Sequence, residues 1–355
     1  MPKETITASR ALTPRQQRIL SMLRTQGTAS NQELVLGLGG VSRITVVRDL
    51  SLLVARGLIA MEGQGRGVRY RERLTNALLR YVDVEAYFAT EPDERALLHE
   101  RFNADVFPLL RDLIEPGELA ALNALNAEYR RHIASLPPDV LKKEFERLTI
   151  DLSWKSSHIE GNTYSLIDTE VLITEHREAP GHRKEEATMI LNHKAALDFI
   201  RARPSDFRTL TLHKVVTLHD LIVRDLAISR GFRRVPVGIG GTRYRPLDNE
   251  HQIREAMERT VRAVNKVPDQ FSKALVAVAL LSSIQPFTDG NKRTARMLGD
   301  ALLLAHGTCP LSFRNVDVAG YKKALILFYE QNTLRVFKEL FLDQFRFAVG
   351  HYFLG

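Results

Sequence analysis

The sequence predicts a mainly α-helical protein, in which a small N-terminal α+β domain precedes a larger all-helical domain that carries one β-hairpin. After residue 75, most segments place apolar residues at the three- and four-residue spacing of helices. Before it, two short apolar runs flank a glycine-rich tip, as in paired strands. The 355 residues, 44% of them hydrophobic, are sufficient for two or three domains.

The first 74 residues carry the start and stop signals of three helices. Pro14 follows Thr13 at the start of the first helix, Asn31 caps the second, and Ser42 caps the third. Gly57 then ends the third helix. The predicted elements are helices over 14–26, after Asn31 and over 43–56, and strands over 58–61 and 68–71.

Positive charge is concentrated in the same region. Residues 1–75 hold 12 Lys and Arg against 5 Asp and Glu, so seven of the eight net positive charges lie here, as is typical of nucleic-acid binding. The helix order resembles the winged helix-turn-helix of bacterial regulators over 1–74, although such folds also dock proteins. The resemblance implies that DNA is contacted by Ser42, Arg43, Thr45 and Arg48 of the recognition helix and by Arg66 and Arg69 of the wing.

Residues 75–138 are predicted to form a helical connector between this region and a larger helical domain over 139–355. Prolines interrupt the connector, and an apolar stripe at Leu122, Leu125 and Tyr129 gives it one face that can pack on the larger domain.

The strongest local signal is a pair of helices joined by a short polar turn. Residues 271–284 are almost entirely apolar and predict a buried helix, which Pro286 ends. Asp289, Gly290 and Asn291 are turn and N-cap residues, and a second helix is predicted over 292–306. The N-terminus of that helix favours an anion, which Arg293 and Arg296 also suit. The carboxylate of Asp289 suits Mg2+. An alternative is that Asp289 only caps the helix while the arginines pair with carboxylates.

The segment Ile284–Arg296 reads Ile-Gln-Pro-Phe-Thr-Asp-Gly-Asn-Lys-Arg-Thr-Ala-Arg. It resembles the signature of the Fic/Doc family, His-Pro-Phe-x-Asp-Gly-Asn-Gly-or-Lys-Arg-x-x-Arg, whose members usually transfer AMP from ATP to a protein hydroxyl. Gln285 stands where the family has its catalytic His, and an amide cannot act as a general base. Lys292 is shared with the Doc-like branch, which transfers phosphate.

The resemblance also assigns roles to the residues of this segment. The implied catalytic positions are Gln285, Asp289, Asn291 and Arg293; the implied nucleotide ligands are Phe287, Gly290, Asn291, Lys292, Arg293 and Arg296; and Asp289 is the implied Mg2+ ligand.

A second segment, Ser156-Ser-His-Ile-Glu-Gly-Asn162, resembles the inhibitory motif of the same family. Glu160 falls in the last turn of a helix predicted over 139–161 and stopped by Gly161, where its charge meets the negative end of the helix dipole. The resemblance implies that Ser156, Glu160 and Gly161 form the inhibitory element and that Glu160 pairs with Arg296, in the space of the ATP γ-phosphate. An ordinary surface glutamate beside a helix end is the alternative.

A third segment, 231–246, alternates Val235, Val237 and Ile239 before a Gly240-Gly241 turn, which predicts a β-hairpin. It is similar to the flap of the family, which can add a target segment as an extra strand. The implied docking residues are Val237, Gly238, Ile239 and Gly240. A hairpin that only packs on helices is the alternative.

No separate metal site is predicted, because His193, His213 and His219 lack metal-binding context and are expected to be buried, hydrogen-bonded helix residues. Cys309 is the single cysteine, so no intrachain disulfide can form and a reducing compartment is expected. The N-terminus lacks an apolar signal segment, and the longest apolar run, Ala274–Leu281, is too short to cross a bilayer. We therefore expect a cytoplasmic protein with no membrane partner.

Three functional hypotheses remain open from the sequence. The first is a protein adenylyltransferase that uses ATP and Mg2+ to modify a Ser, Thr or Tyr hydroxyl of a protein target, restrained by Glu160 and weakened or inactive because of Gln285. The second is a DNA-binding transcription regulator whose non-catalytic Fic domain senses ATP or a related nucleotide. The third, suggested only by Lys292, is a Doc-like phosphotransferase. A homodimer is compatible with DNA readers of this kind.

Overall fold

The computed structural model describes residues 12–73 and 76–354. The chain forms two compact units, the first ending at Arg95 and the second beginning at Ala96. This division falls within the predicted connector 75–138 and assigns residues up to 95 to the first unit and residues 96–138 to the second. The domain boundaries 74/75 and 138/139 therefore stay predictions.

The first unit packs the helices α1, α2 and α3 against a small antiparallel sheet and ends with the short helix α4. The sheet has the order β1-β3-β2, with Ala29 opposite Tyr70 and Ala60 opposite Arg71. Apolar side chains from all three helices, including Ile19, Leu34 and Val46, are fully buried beneath it. Its elements are α1 (Pro14–Gln26), β1 (Thr28–Ser30), α2 (Asn31–Leu38), α3 (Arg43–Ala55), β2 (Ile59–Glu62), β3 (Arg69–Glu72) and α4 (Val84–Phe88).

The predicted helices of this unit are confirmed to within a residue or two, with one change of cap. Ser30 rather than Asn31 caps α2, because its side chain accepts from the backbone N–H of Glu33, while the Glu33 side chain bonds back to Ser30. Strand β1 was not predicted. Three residues are too few to show an alternating pattern, so pairing with β3 defines this strand.

The second unit is helical and is built around α11, whose residues 271–284 are all buried. The neighbouring helix α12 packs closely on α11 at Gly299, where an added Cβ would lie 2.8 Å from Val278 Cγ2. No helix in the described ranges is long and apolar enough to cross a membrane. The helices are α5 (Pro116–Ser135), α6 (Pro138–Ile159), α7 (Leu166–Glu175), α8 (Lys184–Ala202), α9 (Leu212–Ile222), α10 (Glu250–Lys266), α11 (Gln270–Ile284), α12 (Asn291–Ala305), α13 (Val318–Gln331) and α14 (Arg335–His351).

The predicted β-hairpin over 231–246 is wrong, because the two arms of this segment do not pair with each other. The first arm is bonded to the α11–α12 loop through the Arg233 N–H, which donates to the Pro286 carbonyl at 3.0 Å. The second arm instead forms an isolated parallel bridge with Arg101, and the Arg245 N–H donates to the Glu100 carbonyl. The backbone hydrogen bonds of the two arms thus go to different segments, the α11–α12 loop for the first arm and residues 100–101 for the second. We call residues 231–246 the flap segment.

The close approach of α11 and α12 makes a stability prediction. We expect Gly299→Ala to destabilise the protein by about 1–3 kcal/mol, because the new methyl group would overpack the buried side chain of Val278. Gly350→Ala, on the exposed side of α14 with open space around it, is the matched control and should stabilise the helix by about 0.5–1 kcal/mol. Thermal unfolding of the two variants measures whether each substitution raises or lowers the stability of the protein. A stabilised Gly299→Ala variant would contradict the packing described here.

Candidate active site

A cavity of about 170 Å³ opens where the flap segment, the end of α6 and the start of α12 meet. Most of its wall is polar, and backbone from two glycine-containing segments contributes to it. The cavity is lined by Glu160, Val237, Gly238, Ile239, Gly240, Gln285, Thr288, Asp289, Gly290, Asn291, Lys292 and Arg293.

The loop between α11 and α12 is held in shape by Asn291. The Asn291 side chain accepts a hydrogen bond from the Phe287 N–H and donates one to the Phe287 carbonyl, both at 2.8 Å. The residue before α12, Gly290, has φ +78, and a Cβ there would lie 2.9 Å from Val223 Cγ1. Only glycine fits this position without strain. The predicted N-cap role of Asn291 is therefore wrong, because its side chain closes the loop and Gly290 precedes the helix.

A buried histidine supports this loop from below. The His219 ring stacks on Phe287 with ring centroids 3.7 Å apart, and its Nε2 donates to the Asp289 carbonyl at 3.0 Å. Because a carbonyl can only accept, Nε2 carries the proton. Burial lowers the pKa of His219. His219 is thus a structural support of the loop, as expected from its sequence context.

Arg293 brings a nearly buried positive charge to the cavity. Its side chain is 2% exposed, and Nη2 donates to Asp289 Oδ2 at 3.3 Å. Nη1 is buried with no hydrogen-bond partner among the described residues. Burial lowers the pKa of Arg293, so the site penalises its charge. A buried guanidinium with a free donor beside a helix N-terminus is a site for an anion.

Arg296 lies behind the cavity and forms the ion pair expected from the sequence. Its Nη2 donates to Glu160 Oε1 at 2.9 Å and to the Ser156 carbonyl at 2.8 Å. Burial alone would raise the pKa of Glu160, but Arg296, followed by Lys292, outweighs burial and keeps that pKa below its usual value. The carboxylate is therefore ionised at neutral pH, with one edge on the cavity and the other on Arg296.

Gln285 has the left-handed backbone conformation, with φ +51, at the end of α11. Its side-chain amide donates to the Ser282 carbonyl at 2.6 Å. The backbone carbonyl of Gln285 accepts from Arg233 Nε at 2.7 Å, so a hydrogen bond joins the α11–α12 loop to the flap segment at this residue. Gln285 lines the cavity but offers no group that can take a proton.

Of the two carboxylates that line the cavity, Glu160 is paired with Arg296, so Asp289 is the one open to a metal ion. Asp289 is 66% exposed at its side chain and lines the cavity. No group of three or more His, Cys, Asp or Glu side chains that could hold a metal occurs within residues 12–73 and 76–354. The site therefore fits an ion that takes one protein carboxylate and completes its shell with phosphate and water, as Mg2+ does.

Several predicted site residues lie outside the cavity wall, and several residues that shape it were not predicted. Phe287 is buried against His219, and Arg296 and Ser156 lie behind Glu160. Arg233 bonds to three backbone carbonyls, yet its sequence context does not distinguish it from its exposed neighbour Arg234. Unpredicted residues at or behind the cavity are Thr288, Arg233, Tyr321 and His193. His213, expected to be buried, is exposed on α9.

In the first unit, α3 presents Arg43 and Arg48 to solvent, and Ser42 caps the helix by accepting from the Thr45 N–H. Arg69 is less available than expected, because it donates to Thr28 and pairs with Glu33 at 3.1 Å. The side chain of Arg66 lies outside the described residues.

Residues 209–303, which include α9 to α11, the flap segment and all but the last two residues of α12, match the family model described as the Fic/DOC family. The chain carries a Fic/DOC domain. Residues 15–65 match the model of the DeoR-like helix-turn-helix domain. The Fic domain is thus preceded by the kind of domain that the helix order and charge of the first 74 residues indicate.

Known proteins are similar to about two thirds of the chain. A "Protein adenylyltransferase Fic" from Drosophila virilis is 27% identical over 267 residues, which is 69% of this chain and 51% of that protein. The chain thus spans about half the length of this curated relative. The solved structure of Caenorhabditis elegans Fic-1 superposes with a TM-score of 0.55 at 20% identity, covering 65% of this chain and 69% of that one. The crystal structure of a Fic-domain-containing signaling protein from Bacteroides thetaiotaomicron superposes with a TM-score of 0.54 at 20% identity. The match covers 64% of this chain and 95% of that one. These structures establish the fold of the Fic domain.

The buried His193 makes the stability of the Fic domain sensitive to acid. Burial, followed by the charges of Arg293 and Arg296, lowers the pKa of His193 to about 3. The unfolded chain titrates near 6.5 and so binds more protons between these values. Stability should fall as the pH drops below about 6.5, by up to about 1.4 kcal/mol per pH unit.

Urea unfolding followed by the fluorescence of Trp154, the single tryptophan, measures this effect. His193→Gln serves as the non-titrating control, so the free-energy difference between the two proteins should shrink as the pH falls. A difference that is the same at pH values of about 7 and 4 would count against a neutral, buried His193.

Proposed function

We propose that this chain is an ATP-binding Fic protein that transfers AMP to a hydroxyl of a protein target, held back by the Glu160–Arg296 pair and slowed by Gln285. The observation that carries the proposal is Arg293, with a buried, unpartnered Nη1 at the start of α12. The name of the Drosophila virilis relative supports the choice of adenylyl transfer.

The wall of the cavity suits a polyphosphate. Positive charge comes from Arg293 and Lys292, and the N-terminal turn of α12 adds backbone N–H groups. Asp289 would hold Mg2+, which when bound neutralises phosphate charge. Glu160 occupies the side of the cavity nearest Arg296, where its negative charge repels a further phosphate.

The chemistry requires a proton acceptor that Gln285 does not supply. The hydroxyl oxygen of the target forms a bond to the α-phosphorus while the bond to the bridging oxygen of the β-phosphate breaks and pyrophosphate leaves. The hydroxyl proton must go to a base, and the Gln285 amide, already bonded to Ser282, cannot accept it at neutral pH. Val237 to Gly240 of the flap segment border the cavity, where a target strand would add to their backbone.

The Gln285→His, Glu160→Gly double variant is expected to transfer the α-phosphate label of ATP to protein. Histidine restores a base that titrates near neutral pH, worth about 10²- to 10⁴-fold in rate, and glycine removes the charge beside the γ-phosphate. Histidine also tolerates the left-handed backbone of residue 285. Radiolabelling from α-labelled ATP measures the transfer. Gln285→Asn in the same Glu160→Gly background is the matched control and should remain slow.

The same assay separates the alternatives. Transfer of a γ-phosphate label without the α-label would replace this proposal by the phosphotransferase, which Lys292 at the cavity wall favours. If neither label is transferred and DNA binding changes when ATP is added, the nucleotide sensor would replace this proposal. Absence of ATP binding to Glu160→Gly in calorimetry would remove all three.

We also propose that the first unit binds duplex DNA through α3. Arg43 and Arg48 are exposed and have no ion-pair partner in the described part of the chain. Between them Ile44, 76% exposed, offers an apolar contact of the kind that thymine methyl groups accept in the major groove. The match to a DeoR-like helix-turn-helix supports this assignment.

Arg43→Ala combined with Arg48→Ala should weaken binding to a mixed-sequence duplex at least tenfold and reduce the salt dependence of log K by about one to two, because phosphate contacts are lost. Fluorescence anisotropy over a range of salt concentrations measures both. The control removes two exposed charges from the other unit, Arg177→Ala with Arg346→Ala. Equal affinity and slope in all three proteins would exclude α3 as the DNA contact.

A further inference from the structure

The Glu160–Arg296 pair is connected to a third helix through one hydroxyl group. The Ser156 hydroxyl on α6 lies 2.9 Å from Arg296 Nε on α12 and 2.8 Å from His193 Nε2 on α8. All three side chains are buried. The direction of each hydrogen bond can therefore be assigned from the chemistry of the groups.

The assignment begins at the other nitrogen of the histidine. His193 Nδ1 lies 2.8 Å from the Met189 carbonyl, which can only accept, so Nδ1 carries the proton. The ring is uncharged in this buried position, next to two arginines, so Nε2 is an acceptor. The Ser156 hydroxyl must then donate its proton to His193 and direct a lone pair to Arg296 Nε.

The backbone at the end of α6 completes the grip on Arg296. The Glu160 N–H bonds to the Ser157 carbonyl instead of the Ser156 carbonyl, which leaves the latter free of the helical ladder. Arg296 Nη2 donates to that free carbonyl at 2.8 Å, and the same nitrogen reaches Glu160. Two acceptors on Ser156 thus fix the plane of the guanidinium and aim it at the carboxylate.

We propose that His193 is a positioning residue of the inhibitory pair, which orients the Ser156 hydroxyl so that Arg296 is held on Glu160. Without an acceptor at position 193, the hydroxyl can turn to a carbonyl of its own helix, as serine does inside helices. Arg296 then loses one of its two fixed acceptors on Ser156. The hydrogen-bond order stands independently of the proposed function, whereas its effect on nucleotide choice depends on that function.

The proposal predicts a change in the ratio of the affinities for Mg-ATP and Mg-ADP when the inhibitory pair is weakened. ADP lacks the phosphate that the Glu160 carboxylate repels, so its affinity should be nearly independent of the pair. We expect His193→Leu to raise the affinity for Mg-ATP relative to Mg-ADP about tenfold, the order of one lost hydrogen bond to a charged group. His193→Gln, whose amide oxygen can take the place of Nε2, should keep the wild-type ratio. His213→Leu on the exposed side of α9 is the matched control and should also keep it.

Calorimetry with Mg-ATP and Mg-ADP provides the affinities, and Trp154 fluorescence verifies that each variant is folded. Ser156→Ala is a second route to the same loss; it should match His193→Leu, and the double variant should add nothing further. If Glu160→Gly raises the ratio but neither His193→Leu nor Ser156→Ala does, or if His193→Gln behaves like His193→Leu, the proposal is overturned.

A second measurement needs no nucleotide. Nitrogen-15 NMR of histidine-labelled wild-type protein should show His193 as the uncharged tautomer protonated at Nδ1, with no titration between pH values of about 5 and 8. The Nε2-protonated tautomer, or a charged ring, would overturn the hydrogen-bond order. If Glu160→Gly binds no ATP, the proposed function fails and this spectrum alone decides the role of His193.

Discussion

The buried guanidinium of Arg296 is the interaction on which the site depends. It neutralises Glu160, satisfies a carbonyl at the end of α6, and extends to Tyr321 on α13. A charge with no water around it is costly unless each donor is occupied, so these groups constrain one another strongly. Helices α6 and α12 are therefore fixed to each other at the point where the cavity begins, and the position of Glu160 follows from that of Arg296.

Two arginines one turn apart on α12 have different environments. Arg293 has a buried nitrogen without a partner and an exposed carboxylate, Asp289, on its other side. Arg296 has its donors occupied by the protein itself. The first arginine is thus available to a ligand, and the second holds the framework. Both follow a loop that Asn291 and His219 keep rigid, so the cavity has its shape before any ligand enters.

The sequence was informative where local signals coincide with the chemistry. The α11–α12 turn was predicted from an apolar run, a proline and a turn sequence, whereas the Glu160–Arg296 pair was implied by the resemblance of residues 156–162 to the inhibitory motif of the family. The β-hairpin prediction for the flap segment was wrong, because alternation of Val235 and Val237 indicates extended backbone but does not show which segment it pairs with. Arg233 was not predicted, and for His193 the sequence predicted only burial and hydrogen bonding within a helix, which is confirmed. The contacts of both residues with distant segments have no local signal. Arg69 was expected to contact DNA, but the fold brings it to Glu33 of α2, which lies 36 residues away in the sequence.

Residue 285 closes α11 in a left-handed conformation, and its loop is held by Asn291, His219 and Arg233 rather than by its own side chain. The space for a base at residue 285 is therefore maintained by neighbouring residues, whichever side chain residue 285 carries. Glutamine and histidine codons differ only in their third nucleotide. A single nucleotide change at this codon would therefore place an imidazole at residue 285, and under the proposed function Glu160 would restrain that variant as well.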